Sequence, residues 1–212
     1  MVEVVNFPLV PLQTNCFLAI KDKRGIVVDP GGDPTTLLNY TEKNGIKVEL
    51  VVNTHIHFDH ILGNRAMQRA LGVSILASPQ DDPLYQAQVE GGAGSSMGLP
   101  EVEAFDYEPL YPGKRDWLGE ECEVMATPGH SPGGISIYFP ESGKLLSGDL
   151  IFAGSIGRTD LPGGSMEQLL ASVKEKVFPL PDSTVIYPGH GPETTVGEEK
   201  RTNPFFQSGT FF

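Results

Sequence analysis

Positive charge, cysteine and long apolar runs are all scarce in this chain, and each scarcity closes off a class of function. Only 15 lysines and arginines stand against 27 aspartates and glutamates, a formal net charge of −12, so a nucleic-acid backbone is a poor partner. Cys16 and Cys122 are the two cysteines. Isolated in apolar, strand-like contexts, they read as buried thiols of a reducing compartment. No apolar stretch reaches the length that spans a bilayer, and the start of the chain, Met1-Val2-Glu3-Val4-Val5-Asn6, lacks the basic region of an export signal. The expectation is a cytoplasmic protein with no membrane partner. Glycine and proline, at 25 and 18, imply many tight turns rather than a helical bundle, and 212 residues fit a single domain, 1–212, with a substantial core.

Histidine is scarce too, with five in the chain, and all five stand in two kinds of context. His55, His57 and His60 crowd into Thr54-His55-Ile56-His57-Phe58-Asp59-His60, while His130 and His190 each follow a Pro-Gly pair. Glu49–Asn53 reads as a buried strand, because a short β-branched run with no polar alternation suits a sheet covered on both faces. His55 and His57 follow at spacing two, on one side of an extended backbone. Asp59 and His60 come next, where Gly63–Ala70 has a helical pattern. A strand end, a turn and a helix start can therefore aim four metal-binding groups at one small volume. His130 follows the strand pattern Cys122–Ala126, Asp149 follows Lys144–Leu146, and His190 follows Thr184–Tyr187. Loops at strand ends are where α/β scaffolds build their sites.

The rest of the chain reads as two α/β halves. Val2–Asn6, Asn15–Ile20 and Gly25–Asp29 form an opening meander, Pro34–Lys43 a helix stopped by Asn44-Gly45, and Val73–Ala77 a further strand. Gly134–Phe139 and Lys144–Ser147 are strands, and Ser165–Lys176 a helix capped by Ser165. Gly91–Gly98 reads as a solvated linker between the halves. Near the C-terminus, Asn203–Phe206 is expected to fold back on its own domain, with Phe211 and Phe212 left open between a subunit contact and disorder.

With these motifs the chain resembles the metallo-β-lactamase superfamily, and within it the short glyoxalase II-type thioester hydrolases, from Asp29-Pro30-Gly31-Gly32 through Arg201-Thr202-Asn203-Pro204-Phe205. The resemblance implies a four-layer αββα sandwich with the metals at one edge of the two sheets. It implies two divalent ions, zinc first with iron or manganese as alternatives: one held by His55, His57 and His130, the other by Asp59, His60 and His190, with Asp149 bridging both. A bridging aspartate argues against a zinc β-lactamase.

The implied chemistry is hydrolysis of a small-molecule thioester, glutathione-derived in the glyoxalase II case, by hydroxide generated on the metals, with Asp59 positioning that nucleophile. Arg158 stands nine residues after Asp149, where the longer enzymes carry a glutathione-binding lysine, and is the candidate substrate-binding residue; its competing reading is an ion pair with Asp160. The chain also stops short of the helical extension those enzymes add. Two rivals keep the same residues: an iron-dependent persulfide dioxygenase using His55, His130 and Asp149, and a non-catalytic metal-binding protein.

Overall fold

The computed structural model describes residues 1–92, 98 and 100–207, so residues 93–97 of the expected linker, and Phe211 and Phe212, lie outside the described residues. The chain divides into two compact units, Met1–Tyr111 with Asp116–Glu120, and Pro112–Arg115 with Glu121 onward. Each carries a mixed six-stranded sheet and helices, the α/β class expected.

In the first unit β1 (Glu3–Leu9), β2 (Thr14–Lys21) and β3 (Arg24–Val28) make the antiparallel meander, and β4 (Lys47–Val52), β5 (Ser74–Ala77) and β6 (Glu108–Pro109) continue it in parallel. The β2–β3 turn is two residues long, with Asp22 and Lys23 both at positive φ, 52° and 62°. That is the twist a tight hairpin needs. Thr14 to Ala19 are buried in succession. Side chains alternate between the faces of a strand, so unbroken burial means that both faces are covered. Cys16, Leu18, Val27, Val51 and Ile75 pack with Leu37, Ile61, Met67 and Leu84, which come from α1 (Thr35–Asn44), α2 (Phe58–Ile61), α3 (Asn64–Leu71) and α4 (Asp82–Tyr85). Helix α1 stops as expected, with Gly45 left-handed at φ 62° and its N–H bonded to the Glu42 and Thr41 carbonyls.

The second unit's sheet has the order β14-β13-β10-β9-β8-β7. Its strands are β7 (Gly113–Trp117), β8 (Glu120–Ala126), β9 (Ile135–Phe139), β10 (Lys144–Gly148), β13 (Val185–Pro188) and β14 (Thr194–Thr195). Between β10 and β13 the chain forms a small hairpin, β11 (Ile151–Phe152) with β12 (Ser155–Ile156), then α5 (Met166–Ser172), which runs on through a wider π turn at Val173–Val177. Ser165 caps α5 as expected, its Oγ accepting from the Gln168 N–H. Leu169, Val173 and Val177 pack with Tyr138, Leu145 and Ile186 of the sheet. After α6 (Val196–Thr202), Asn203 is fully buried and Phe205 and Phe206 lie against this same core. The expected folding back of Asn203–Phe206 therefore holds.

Both cysteines are free and buried. Burial, with the Asp29 charge second, pushes the Cys16 thiol well above its ordinary range, so it is an inert packing group. Among the described residues no helix is long and apolar enough to cross a membrane.

Phe206 meets Phe178 edge-on with ring centroids 4.9 Å apart. Removing this half-buried ring should cost about 1–2 kcal/mol. In a protein of this size that lowers the melting temperature by about 3–6 °C. Thermal unfolding of Phe206→Ala followed by circular dichroism checks this; an unshifted transition would make the tail a passive extension.

Candidate functional site

In the first unit the candidate ligands follow the carboxyl end of β4, a strand parallel to both of its neighbours. His57 is still extended, at φ −85° and ψ 147°, and directly precedes α2, whose first turn carries Asp59 and His60. His55, His57, Asp59 and His60 thus stand together and buried, as the spacing predicts. The rings of His55 and His57 are 4.8 Å apart and those of His55 and His60 4.1 Å.

A buried carboxylate that sequence reasoning did not single out holds this cluster. Asp29, just past the end of β3, takes a left-handed backbone at φ 52°, which aspartate tolerates better than most residues. Its Oδ1 accepts the Thr54 N–H at 2.7 Å, and its Oδ2 accepts the Thr54 hydroxyl at 2.6 Å and lies 2.9 Å from His60 Nδ1. Thr54 Oγ1 in turn stands 3.1 Å from His55 Nδ1. The threonine proton is committed to Asp29, so both imidazoles donate from Nδ1, and the ring lone pair is on Nε2 in each. Donor atoms of Asp29, His55 and His60 fall within 4.8 Å of one another. Because Asp29 meets the Nδ1 side, it orients the ligands instead of joining them.

Further polar groups fix the loop. Asp81, fully buried, accepts the Ile56 N–H at 3.1 Å, and Thr14 donates to Asp59 Oδ2 at 3.2 Å. Asn53 donates to the His60 carbonyl at 3.1 Å and accepts from Asn64 at 2.8 Å. A Cβ on Gly31 would lie 1.8 Å from the Asp59 carbonyl oxygen, so the glycine after Pro30 is required by close approach to the ligand turn. The signal in the sequence nearest to Asp29 was its place at the end of a strand, just before Pro30 and the Gly31-Gly32 pair.

In the second unit β10 and β13 are parallel neighbours, so Asp149 and His190 leave adjacent strands at the same end. The Gly189 N–H donates to the Gly148 carbonyl at 2.9 Å and ties the two turns together. His130 sits in the loop joining antiparallel β8 and β9. One oxygen, Asp149 Oδ2, lies 3.6 Å from His130 Nε2 and 3.7 Å from His190 Nε2. Two ligands about 2.0–2.1 Å from a tetrahedral ion stand about 3.4 Å apart, so each pairing fits one shared cation, and imidazole with carboxylate suits zinc, iron or manganese. His60 Nε2 and Asp59 Oδ2, at 3.7 Å, show the same spacing in the first unit.

Arg158 is placed differently from the other candidates. Its side chain is exposed and grips Asp160 through Nε and a terminal nitrogen, both at 2.7 Å. This bidentate pairing draws the Asp160 carboxyl down to about 2. The part of Arg158 that meets a candidate ligand is its backbone carbonyl, which accepts from His130 Nδ1 at 2.7 Å. No side-chain pattern could have shown that. Beside it, a Cβ on Gly157 would fall 1.8 Å from the Asp149 carbonyl, the counterpart of Gly31 and Asp59 in the first unit.

The family model of the metallo-β-lactamase superfamily matches residues 9–190. A hydroxyacylglutathione hydrolase of Haemophilus influenzae is 34% identical over 212 residues, 98% of this chain and 98% of its own. A probable metallo-hydrolase of Bacillus subtilis is 36% identical over 94% of this chain and 95% of its own. Among solved structures, the B3 metallo-β-lactamase BLEG-1 superposes with a TM-score of 0.90 at 34% identity, covering 97% of this chain and 100% of its own. A protein in a di-iron-bound form superposes with a TM-score of 0.87 at 39% identity, covering 95% and 99%.

Asp29→Asn replaces one acceptor oxygen by a donor facing other donors, while keeping the shape. The expected result is a folded protein whose metal affinity is at least about tenfold lower. Chelator competition on metal-free protein measures it; an unchanged affinity would assign Asp29 to folding alone.

Proposed function

This chain belongs to the metallo-β-lactamase superfamily, whose members here are metallo-hydrolases, and on that premise we propose that it is a dinuclear thioester hydrolase acting on a glutathione thioester. The observation that carries the dinuclear reading is the single Asp149 oxygen standing 3.6 Å and 3.7 Å from the Nε2 atoms of two different histidines. A carboxylate so placed suits the bridge between two ions, each also held by one of those rings. The family's arrangement, carried onto this sequence, assigns His55, His57 and His130 to one ion and Asp59, His60 and His190 to the other. The relative solved with two irons supports two ions and makes iron a competitor to zinc. The hydroxyacylglutathione hydrolase relative supports the substrate class. Both cysteines are free thiols, which supports a cytoplasmic setting.

When bound, the ions supply Lewis acidity for an acyl carbonyl and bring the pKa of a coordinated water toward neutrality. The chain's own residues supply geometry and proton handling. Asp59, steadied by Thr14, orients the attacking water at its carboxylate. Asp29 and the Arg158 carbonyl keep protons on the Nδ1 atoms of His60 and His130, and Thr54 does so for His55, so these three imidazoles are held with Nε2 turned to the proposed ligand position. Arg158 is proposed to exchange Asp160 for a glutathione carboxylate. Its present pair is exposed and screened by solvent, and a weak surface pair is readily displaced.

Purified protein made in defined medium, analysed for metal and assayed with S-lactoylglutathione, tests the proposal. Oxygen uptake with glutathione persulfide in place of hydrolysis would favour the dioxygenase, a β-lactam turned over faster than the thioester would favour a lactamase, and an inert metalloprotein would end the enzymatic reading. Asp149→Ala should retain at most one of two metals and lose about a hundredfold or more in kcat/KM. Full dimetal occupancy with normal turnover would refute the bridge. For Arg158→Ala, KM should rise about tenfold with kcat within about twofold, because the contact is far from the reacting carbonyl and equal in ground and transition states. A matching fall in kcat would place Arg158 elsewhere.

A further inference from the structure

Glu199 is 1% exposed and lies outside the ligand set, yet three separate segments of the second unit meet on its carboxyl group. Its Oε2 accepts the Gly154 N–H at 3.0 Å and the Asn203 side-chain amide at 2.7 Å, and its Oε1 accepts the Thr194 hydroxyl at 2.6 Å. The same Asn203 amide donates to the Ser155 carbonyl at 2.9 Å. Each partner leads to a different piece of the candidate site. Gly154 lies in the turn of the β11–β12 hairpin and Ser155 opens β12; Asp149 precedes this hairpin, and Gly157 and Arg158 follow it. Thr194 opens β14, four residues after His190. Asn203 is the buried pivot on which the C-terminal turn folds back, its Oδ1 accepting the Phe205 N–H at 3.1 Å.

Burying a carboxyl group is costly unless its oxygens are satisfied. Of the three donors that satisfy these oxygens, the Gly154 N–H belongs to the segment that follows Asp149 and the Thr194 hydroxyl to the one that follows His190. From this geometry we propose that Glu199 is a positioning residue for the metal centre: it couples the Asp149–Arg158 segment to the His190 segment, so that the Asp149 oxygen keeps its spacing to both histidines. The inference rests on the reading of His130, Asp149 and His190 as metal ligands. The Gly189-to-Gly148 bond fixes the roots of the two loops, at the sheet. Glu199 fixes their far sides, tying the hairpin turn to the start of β14, which is itself paired with β13. Loops held at both ends present their ligands at one separation, and outer groups of this kind typically change metal affinity by about 10–100-fold.

The substitutions separate positioning from bulk stability. Glu199→Ala takes the acceptor from the Gly154 N–H and the Thr194 hydroxyl and leaves the Asn203 amide only the Ser155 carbonyl, whereas Glu199→Gln can keep one oxygen on Gly154 and Asn203 and turn its amide toward the Thr194 hydroxyl, which also accepts. Phe206→Ala destabilises the same tail while leaving the three hydrogen bonds to Glu199 in place. Zinc affinity is measured on metal-free protein by chelator competition, and cobalt(II) is used as a spectroscopic reporter of ligand geometry. Glu199→Ala should bind zinc about tenfold or more weakly with an altered cobalt spectrum, Glu199→Gln should recover most of both, and Phe206→Ala should leave both unchanged. Equal zinc affinity and identical cobalt spectra in wild type and Glu199→Ala would overturn the inference, as would Phe206→Ala shifting them as far as Glu199→Ala does. If Glu199→Ala does not fold, Thr194→Val decides. It removes one of the three bonds and should weaken zinc about threefold, and no change would count against Glu199. A wild-type chain that binds no zinc, cobalt or iron would instead overturn the reading of the ligands, and this inference with it.

Discussion

The hydrogen bond between Asp29 Oδ2 and His60 Nδ1, 2.9 Å long and wholly buried, is the constraint from which the first unit's chemistry follows. A carboxylate out of water must be answered by donors, and the donors nearby are Thr54 and His60, residues of the ligand loop itself. Satisfying Asp29 therefore selects the tautomer of His60 and, through Thr54, that of His55. The left-handed backbone at Asp29 is part of the same constraint, because that turn puts the carboxylate beneath the loop following β4.

The second unit meets the same need with different atoms. His130 is oriented by a backbone carbonyl, that of Arg158, and the Asp149 and His190 turns are tied at their base by a main-chain bond. Main-chain acceptors hold a ring whatever side chain the accepting residue carries. A substitution at Arg158 is thus expected to spare His130 while altering the exposed guanidinium.

Close backbone approach is the second theme. Gly31 against the Asp59 carbonyl and Gly157 against the Asp149 carbonyl each leave no room for a Cβ, with 1.8 Å separations at both. An aspartate side chain is short, so a backbone that is to offer one to an ion has to come near it, and the chain packed behind that backbone has to be bare. The glycines in Asp29-Pro30-Gly31-Gly32 and Ile156-Gly157-Arg158 are thereby tied to the site without touching a ligand's side chain.

Much of this was legible in residue order. The two α/β halves, the strand ends that carry each ligand, the spacing of His55, His57, Asp59 and His60, the stop of α1 at Asn44-Gly45 and the Ser165 cap are local matters. Periodicity, turn chemistry and spacing act over a few residues and survive in the written sequence. Asp29, Asp81, Glu199 and the carbonyl of Arg158 were not legible as site residues, because the partners that tie them to the site, Gly154 in the case of Glu199, lie 25 or more residues away and a buried carboxylate looks like any other until its donors are known. Arg158 is the mixed case: its position after Asp149 was readable, but its pairing with Asp160 and the use of its backbone belong to the fold. Sequence by itself determined which groups can bind metal and on which loops they stand. Only tertiary structure decided which nitrogen of His55, His60 and His130 is held by a partner and that one Asp149 oxygen stands near two histidines, because those depend on contacts between segments that folding alone brings together.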